Sequence, residues 1–340
     1  MAAKVLHRRL SLGAIGLAMG LLFAVGCRDG VDGRPLPSAR SAPPAPTSAA
    51  VGQPPSEQPA TTGTAAAATT APRPAAAPLD TAPYPWHDDP SIEPLEAVAT
   101  LEQRFAPPAG FTRVDLEPDS FGAWLRRIPL TKPDTPVLSY DGRVILPSGH
   151  RNLAAVTTLD TGKRDLQQCA DAIMRLHAEW LWHRGRAAEA SYPTGAGPIP
   201  WSRYLAGAYP RAKGNTFEWG QGRARSNSHK TYRAYSDVVA SWANTVSLAR
   251  TASKPDRAEV RPGDFFILPG GPGHTVLILD LAKSAAGRQL ALLGQSFMPA
   301  QNFQVLRPSR DGPWFELDPE HGVDTPFWER FPWSSLRRLD

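Results

Sequence analysis

The sequence predicts an α+β domain, with one cysteine-bearing helix packed on an antiparallel sheet. Three observations predict it. Residues 165–183 carry Cys169, Ile173, Leu176 and Trp180 at helical spacing, so these side chains share one face. Residues 261–280, RPGDFFILPGGPGHTVLILD, read as a short apolar strand, a glycine-rich turn and a second strand headed by His274. Residues 289–297 then supply an antiparallel partner for 275–281 across a turn near Ala286 and Gly287.

Only part of the 340-residue chain belongs to that domain. Residues 1–26 carry Lys4, Arg8 and Arg9 and then an apolar run, the layout of a secretory signal rather than a spanning helix. The run ends Ala24-Val25-Gly26-Cys27, which resembles a bacterial lipobox, although leucine is commoner than alanine where Ala24 stands. The resemblance implies removal of residues 1–26 and a lipid on Cys27 that makes the membrane a partner. Arg28 follows, with no aspartate there as an inner-membrane retention signal would have it. The expected location is therefore the periplasmic face of the envelope, on the outer rather than the inner membrane. Residues 27–83 are Ala, Pro, Thr, Ser and Gly with almost no large apolar side chain, and so are expected to form a disordered tether. Its typical span is about 40 Å as a flexible coil, more where proline extends it. From Tyr84-Pro85-Trp86 onward the composition changes, and residues 84–340 are expected to form one globular domain.

The net charge of +5 falls to +2 without residues 1–26, which hold three positive charges and no negative ones. The basic balance is mostly targeting and gives no support for nucleic-acid binding.

Within the domain, residues 91–105 place Ile92, Leu95, Ala99 and Leu101 near one face of a weak helix. Asp119 and Ser120 introduce a short helix over 121–125, stopped by Pro129. Residues 137–140 and 144–146 form a hairpin around Asp141-Gly142, and 153–159 a strand. Asp165 is the expected N-cap of the cysteine helix, with Gln168 closing a capping box. Residues 184–227 are rich in Gly, Pro and Arg and carry Tyr192, Trp201, Tyr204, Tyr209 and Trp219, so a long irregular binding region is expected. Ser228 caps a helix over 229–250 whose inner stripe is Tyr235, Val239, Trp242 and Val246. The Trp- and Pro-rich tail, 314–339, has no pattern that assigns it an element.

Two cysteines are present, and lipidation of Cys27 leaves Cys169 without a disulfide partner. An exported compartment oxidises thiols, so such a cysteine is either buried and inert or kept for its chemistry. Cys169 falls in the first turn of its helix, where unsatisfied amides and the positive dipole end favour a thiolate. It also shares a face with Ile173 and Leu176, as a core thiol would. His274, at a strand mouth, can take and return a proton. Gln295 is the expected orienting group. A turn centred between Ala285 and Ala286 places it opposite Val276, on the face of His274, and a one-residue shift would move it to the other face. Gln168, or the amides near it, is the expected oxyanion donor.

A thiol at a helix start followed far downstream by a strand-head histidine resembles papain-like cysteine enzymes. Gln168-Cys169-Ala170-Asp171, Arg261-Pro262-Gly263-Asp264 and Gly273-His274 are similar to their bacterial cell-wall branch, the cysteine- and histidine-dependent amidohydrolases and peptidases. The resemblance implies a papain-like fold, with Cys169 as nucleophile and His274 as base and acid. Longer motifs resemble an uncharacterised bacterial lipoprotein family, domain of unknown function 4846. They are Ser120-Phe121-Gly122-Ala123-Trp124-Leu125-Arg126, Tyr140-Asp141-Gly142, Arg164-Asp165-Leu166-Gln167-Gln168-Cys169-Ala170-Asp171-Ala172, Pro272-Gly273-His274 and Gln295-Ser296-Phe297-Met298-Pro299-Ala300-Gln301.

The expected function is a cell-envelope thiol amidase or peptidase acting on peptidoglycan-type peptide or amide bonds. The alternative is a non-catalytic envelope lipoprotein that binds a glycan, a peptide or a partner protein, with Trp201 and Trp219 as binding residues. No metal and no cofactor is expected. His177, Glu179 and His183 lack zincin spacing and are expected on the helix surface, and His87-Asp88-Asp89 in a solvated turn. No glycine-rich phosphate loop precedes a helix. Gly294-Gln295-Ser296-Phe297-Met298 lacks the second glycine of a serine nucleophile elbow.

Overall fold

The structure, a computed structural model, describes residues 79–340. The predicted signal peptide, Cys27 and all but the last five residues of the predicted tether lie outside the described residues. No helix among the described residues is long and apolar enough to cross a membrane.

Eight strands form an antiparallel sheet packed against helices. In chain order the strands are β1 (Phe111–Arg113), β2 (Leu153–Val156), β3 (Phe265–Leu268), β4 (His274–Ser284), β5 (Gln289–Gln295), β6 (Gln304–Leu306), β7 (Trp314–Glu316) and β8 (Leu336–Arg337). The sheet runs β8-β3-β4-β5-β6-β2, with β7 also paired to β5 and β1 to β4. The helices are α1 (Leu101–Arg104), α2 (Phe121–Arg126), α3 (Cys169–His183), α4 (Trp201–Leu205), α5 (His229–Ala240) and α6 (Thr245–Thr251).

β4 organises the packing because its two faces feed two cores. Leu277 and Leu279 join the cluster that holds Ile173 and Leu176 of α3. Val276 and Ile278 join a second cluster with Phe266, Phe315, Phe331 and Leu336. The C-terminal segment, unassigned by its pattern, therefore covers the second face of the sheet. Nearly every side chain of α3 is buried, as befits a helix enclosed on several sides.

Several expected elements change. The helix over 91–105 is reduced to Leu101–Arg104, because Pro94 interrupts the segment and Thr100 opens the helix with a capping box to Gln103. α3 starts at Cys169, not Asp165. Asp165 instead accepts from Gln168 Nε2 at 2.9 Å and from the Ala300 amide at 2.7 Å, pinning the loop after β5 to the helix start. The helix over 229–250 breaks in two. Asn244 caps α6 by accepting from the Ser247 amide at 2.9 Å, a local bond that competes with a continuous helix. Tyr235 and Val239 stay buried, whereas Val246 is exposed. Residues 184–227 hold α4 and two hairpins, the larger pairing Ala208–Lys213 with Thr216–Gln221. The short helix α2 and the hairpin of Val137–Leu138 with Val144–Leu146 form where the sequence predicts them.

Candidate functional site

Cys169 occupies the first position of α3. Its Sγ lies 3.9 Å from the Gly273 carbonyl oxygen and receives the Thr275 amide N–H. These are the backbone groups of the two residues flanking His274. They are free to meet the thiol because β5 stops pairing at Gly294, opposite Leu277, while β4 runs on to His274. The thiol borders a cleft of about 280 Å³ between the start of α3, the α5–α6 junction at Ala243 to Thr245, the turn of residues 270–273 and Met298. A larger hollow of about 700 Å³, beside Pro262 and Arg338, does not border Cys169.

His274 is fully buried. Its ring packs among Phe297, Trp328 and Phe331, with centroids 4.7, 5.0 and 6.1 Å away. Nε2 donates to Gln295 Oε1 at 2.8 Å, which leaves Nδ1 as a buried lone pair with no partner. No hydrogen bond joins it to Cys169 Sγ. The expected pairing of His274 with Gln295 is present, but by a different register. Lys283 pairs with Gln289 at the turn, a count that would set Gln295 opposite Leu277. A β-bulge between Ile278 and Asp280 then shifts the register by one, bringing Gln295 opposite Val276.

Electrostatics reverse the expected thiolate. Burial pushes the Cys169 thiol up and Asp171 adds to it, and the amides of Ala170, Cys169 and Thr275 do not offset them, so its pKa is about 12. Burial lowers His274 to about 4 against a smaller opposing effect of Gln295. Thiol and imidazole are thus both neutral at pH 7.

Gln168, the oxyanion candidate, has its side-chain amide engaged by Asp165 at 2.9 Å. The Cys169 and Ala170 amides face the thiol instead. Asp171, two residues past the thiol, is a functional group its sequence position does not reveal. Its Oδ2 accepts from the Gln168 amide at 3.2 Å, and its buried Oδ1 has no partner. Burial raises this carboxyl to about 8, so it is a neutral acid at pH 7. The signal in the sequence is an acid at the third position of a helix that starts with cysteine.

The other candidates separate. Trp201 is 2 % exposed and packs with Trp182, Tyr232 and Tyr235, so it offers no ligand a face. Trp219 is half-buried, with the Arg203 guanidinium 4.0 Å over its ring. His177 and Glu179 are buried rather than on the surface, because α3 is enclosed. His177 bonds Tyr192 Oη at 3.0 Å. Asp89, expected in a solvated turn, is buried against His229 at 2.7 Å. Among the described residues no cluster of His, Cys, Asp and Glu has the geometry to hold a metal ion.

Gly273→Ala tests the strand mouth. A Cβ there would lie 2.6 Å from the Gly270 amide nitrogen and 2.8 Å from the Leu268 carbonyl oxygen. The expected loss is about 1–3 kcal/mol by urea unfolding, and the thiol should label faster as the turn opens.

Fold and site define a mixed α+β domain with a buried thiol at a helix start, beside a glycine-rich strand mouth. The chain belongs to the family described as domain of unknown function (4846), which matches residues 101–338. No curated protein and no solved structure matches the chain.

Proposed function

We propose that the domain is a thiol-dependent amidase or peptidase on a papain-like scaffold, acting on peptide or amide bonds of cell-envelope material, peptidoglycan above all. The observation that supports this best is the His274 ring. It is oriented by Gln295 through Nε2 and keeps an unpartnered Nδ1, while the thiol is bound by the backbone on either side of it. In this reading Sγ attacks the carbonyl carbon as its proton passes to Nδ1. The C–N bond then breaks, His274 returns the proton to the leaving amine, and water hydrolyses the thioester. The Cys169 and Ala170 amides receive the oxyanion. Both groups rest neutral, and the His274 ring packs with Phe331 on the second-core face of β4, outside the lining of the cleft that Cys169 borders. This reading therefore requires the ring to swing to the thiol as substrate binds, with proton transfer accompanying attack. A lipid on Cys27 and the long tether would hold the domain at the periplasmic face of the outer membrane, within reach of peptidoglycan and envelope proteins.

Iodoacetamide labelling of Cys169 in the mature, folded chain tests this, with wild type beside His274→Ala. Base assistance predicts labelling at neutral pH, far below the thiol's own ionisation, and a loss of about tenfold or more in the variant. Labelling only after unfolding, or identical profiles, would overturn it. The burial of both groups favours a second reading, in which the same scaffold binds an envelope ligand without catalysis.

A further inference from the structure

The aromatic residues of 184–227 differ in what they offer. Tyr192 and Trp201 are each 2 % exposed and Tyr204 is 7 %, so all three are core. Trp219 is covered by Arg203. Tyr209 keeps an open face. Its ring lies across Gly220, its cross-strand partner, so closely that a Cβ at Gly220 would fall 2.7 Å from the ring. The residue is nevertheless 37 % exposed. The glycine thus fixes one face of the ring against the strand and leaves the other to solvent.

Charge gathers around this ring. Residues 203–225 hold five Lys or Arg and a single acid, Glu218, whereas the remaining described residues hold 25 Lys or Arg and 28 Asp or Glu. Arg211 and Lys213 share Glu218, at 2.7 and 3.1 Å, and so remain half-neutralised. Arg223 is exposed, directly after Gly222, which also lies against the Tyr209 ring. The hairpin tip is Gly214-Asn215, with no apolar residue to enter a bilayer. One stacking ring is also too few for the repeated platforms that hold single-stranded nucleic acid.

We propose that the hairpin Ala208–Gln221 binds a carboxylate-bearing saccharide, with Tyr209 stacked on a sugar ring and Arg211, Lys213 and Arg223 meeting its carboxylates. Stacking on a fixed ring supplies orientation, and the surrounding guanidinium and ammonium groups supply selectivity for acid over neutral sugars. The site lies on the face of the hairpin that turns away from the α5–α6 junction. The opposite face seats the hairpin, with Phe217 packed on Trp242 at 5.1 Å. The binding needs no thiol chemistry.

The test is calorimetric titration of the mature chain with an oligogalacturonate and with muropeptides prepared from sacculi. A neutral chitooligosaccharide, vesicles with a quarter anionic lipid and a single-stranded oligonucleotide run alongside. Binding of the acidic saccharides is expected, weakened roughly tenfold by Tyr209→Ala and by Arg223→Glu, and kept by Tyr209→Phe. Cys169→Ala should bind as wild type does, which separates this proposal from the thiol reading. Unchanged Cys169 labelling shows that the hairpin variants are folded. Equal binding of the neutral sugar, binding of vesicles or oligonucleotide without the acidic saccharides, undiminished binding by the variants, or no binding would each overturn the proposal.

Discussion

Glu179→Ala is expected to destabilise the fold by about 3–5 kcal/mol, the range for breaking a buried ion pair from one side. Glu179 is fully buried. Its Oε1 accepts from Arg175 Nε at 2.5 Å and its Oε2 from His229 Nε2 at 2.8 Å. Arg175, also buried, reaches Asp160 at 2.8 Å and Gln167 at 3.1 Å, and His229 donates through Nδ1 to Asp89 at 2.7 Å. Removing the carboxylate leaves Arg175 buried with one counter-charge and releases His229 from α3. Against a typical total of about 5–15 kcal/mol, that loss approaches half the stability. Urea unfolding measures it, and a cost under about 1 kcal/mol would show that the network contributes little. A pH signature accompanies the loss. Burial alone would lower His229, but its bonds to Glu179 and Asp89 outweigh burial and raise it above 6.5. A raised histidine contributes stability that is full below 6.5 and disappears as pH climbs through the folded-state value. Glu179→Ala should flatten that part of the stability profile.

Asp171→Asn is expected to act in the opposite direction at alkaline pH. Burial raises Asp171 from 3.8 to about 8, so between those values the folded chain keeps a proton that the unfolded chain releases. Stability therefore falls as pH rises from 3.8 to about 8. Asparagine keeps the acceptor for the Gln168 amide and removes the titration. The variant should match wild type below pH 3.8 and exceed it by at least about 1 kcal/mol at pH 8. It should also label faster at Cys169 above that pH, because Asp171 raises the thiol. A variant that is less stable at pH 8, or whose labelling profile is unmoved, would remove Asp171 from the thiol's electrostatics.

Gln295 shows how far counting along a chain reaches. Its place opposite Val276 follows from a turn centred between Ala285 and Ala286, but the turn closes half a residue later. The bulge between Ile278 and Asp280 restores the face. A bulge depends on how β4 bends between two cores, and no local pattern announces it. Trp201 and Tyr209 make the same point for aromatic rings. Both sit in a Gly- and Pro-rich stretch with similar composition, yet one is core and the other open. Glu179 and Asp89 are buried polar residues whose shared partner, His229, lies far along the chain from both.

The sequence by itself determined the α+β class, Cys169 at the start of its helix, and the strand headed by His274. Those features depend on spacing, caps and turns within a few residues. The tertiary structure decided the rest: a neutral thiol, an imidazole whose Nδ1 has no partner, a carboxyl that keeps its proton, and the one ring of five left open. Each follows from burial and from partners distant in the chain, such as the Gly273 carbonyl 104 residues from the thiol it meets. Burial costs the charged form of an acid or base more than any local sequence effect repays, so protonation at this site follows packing.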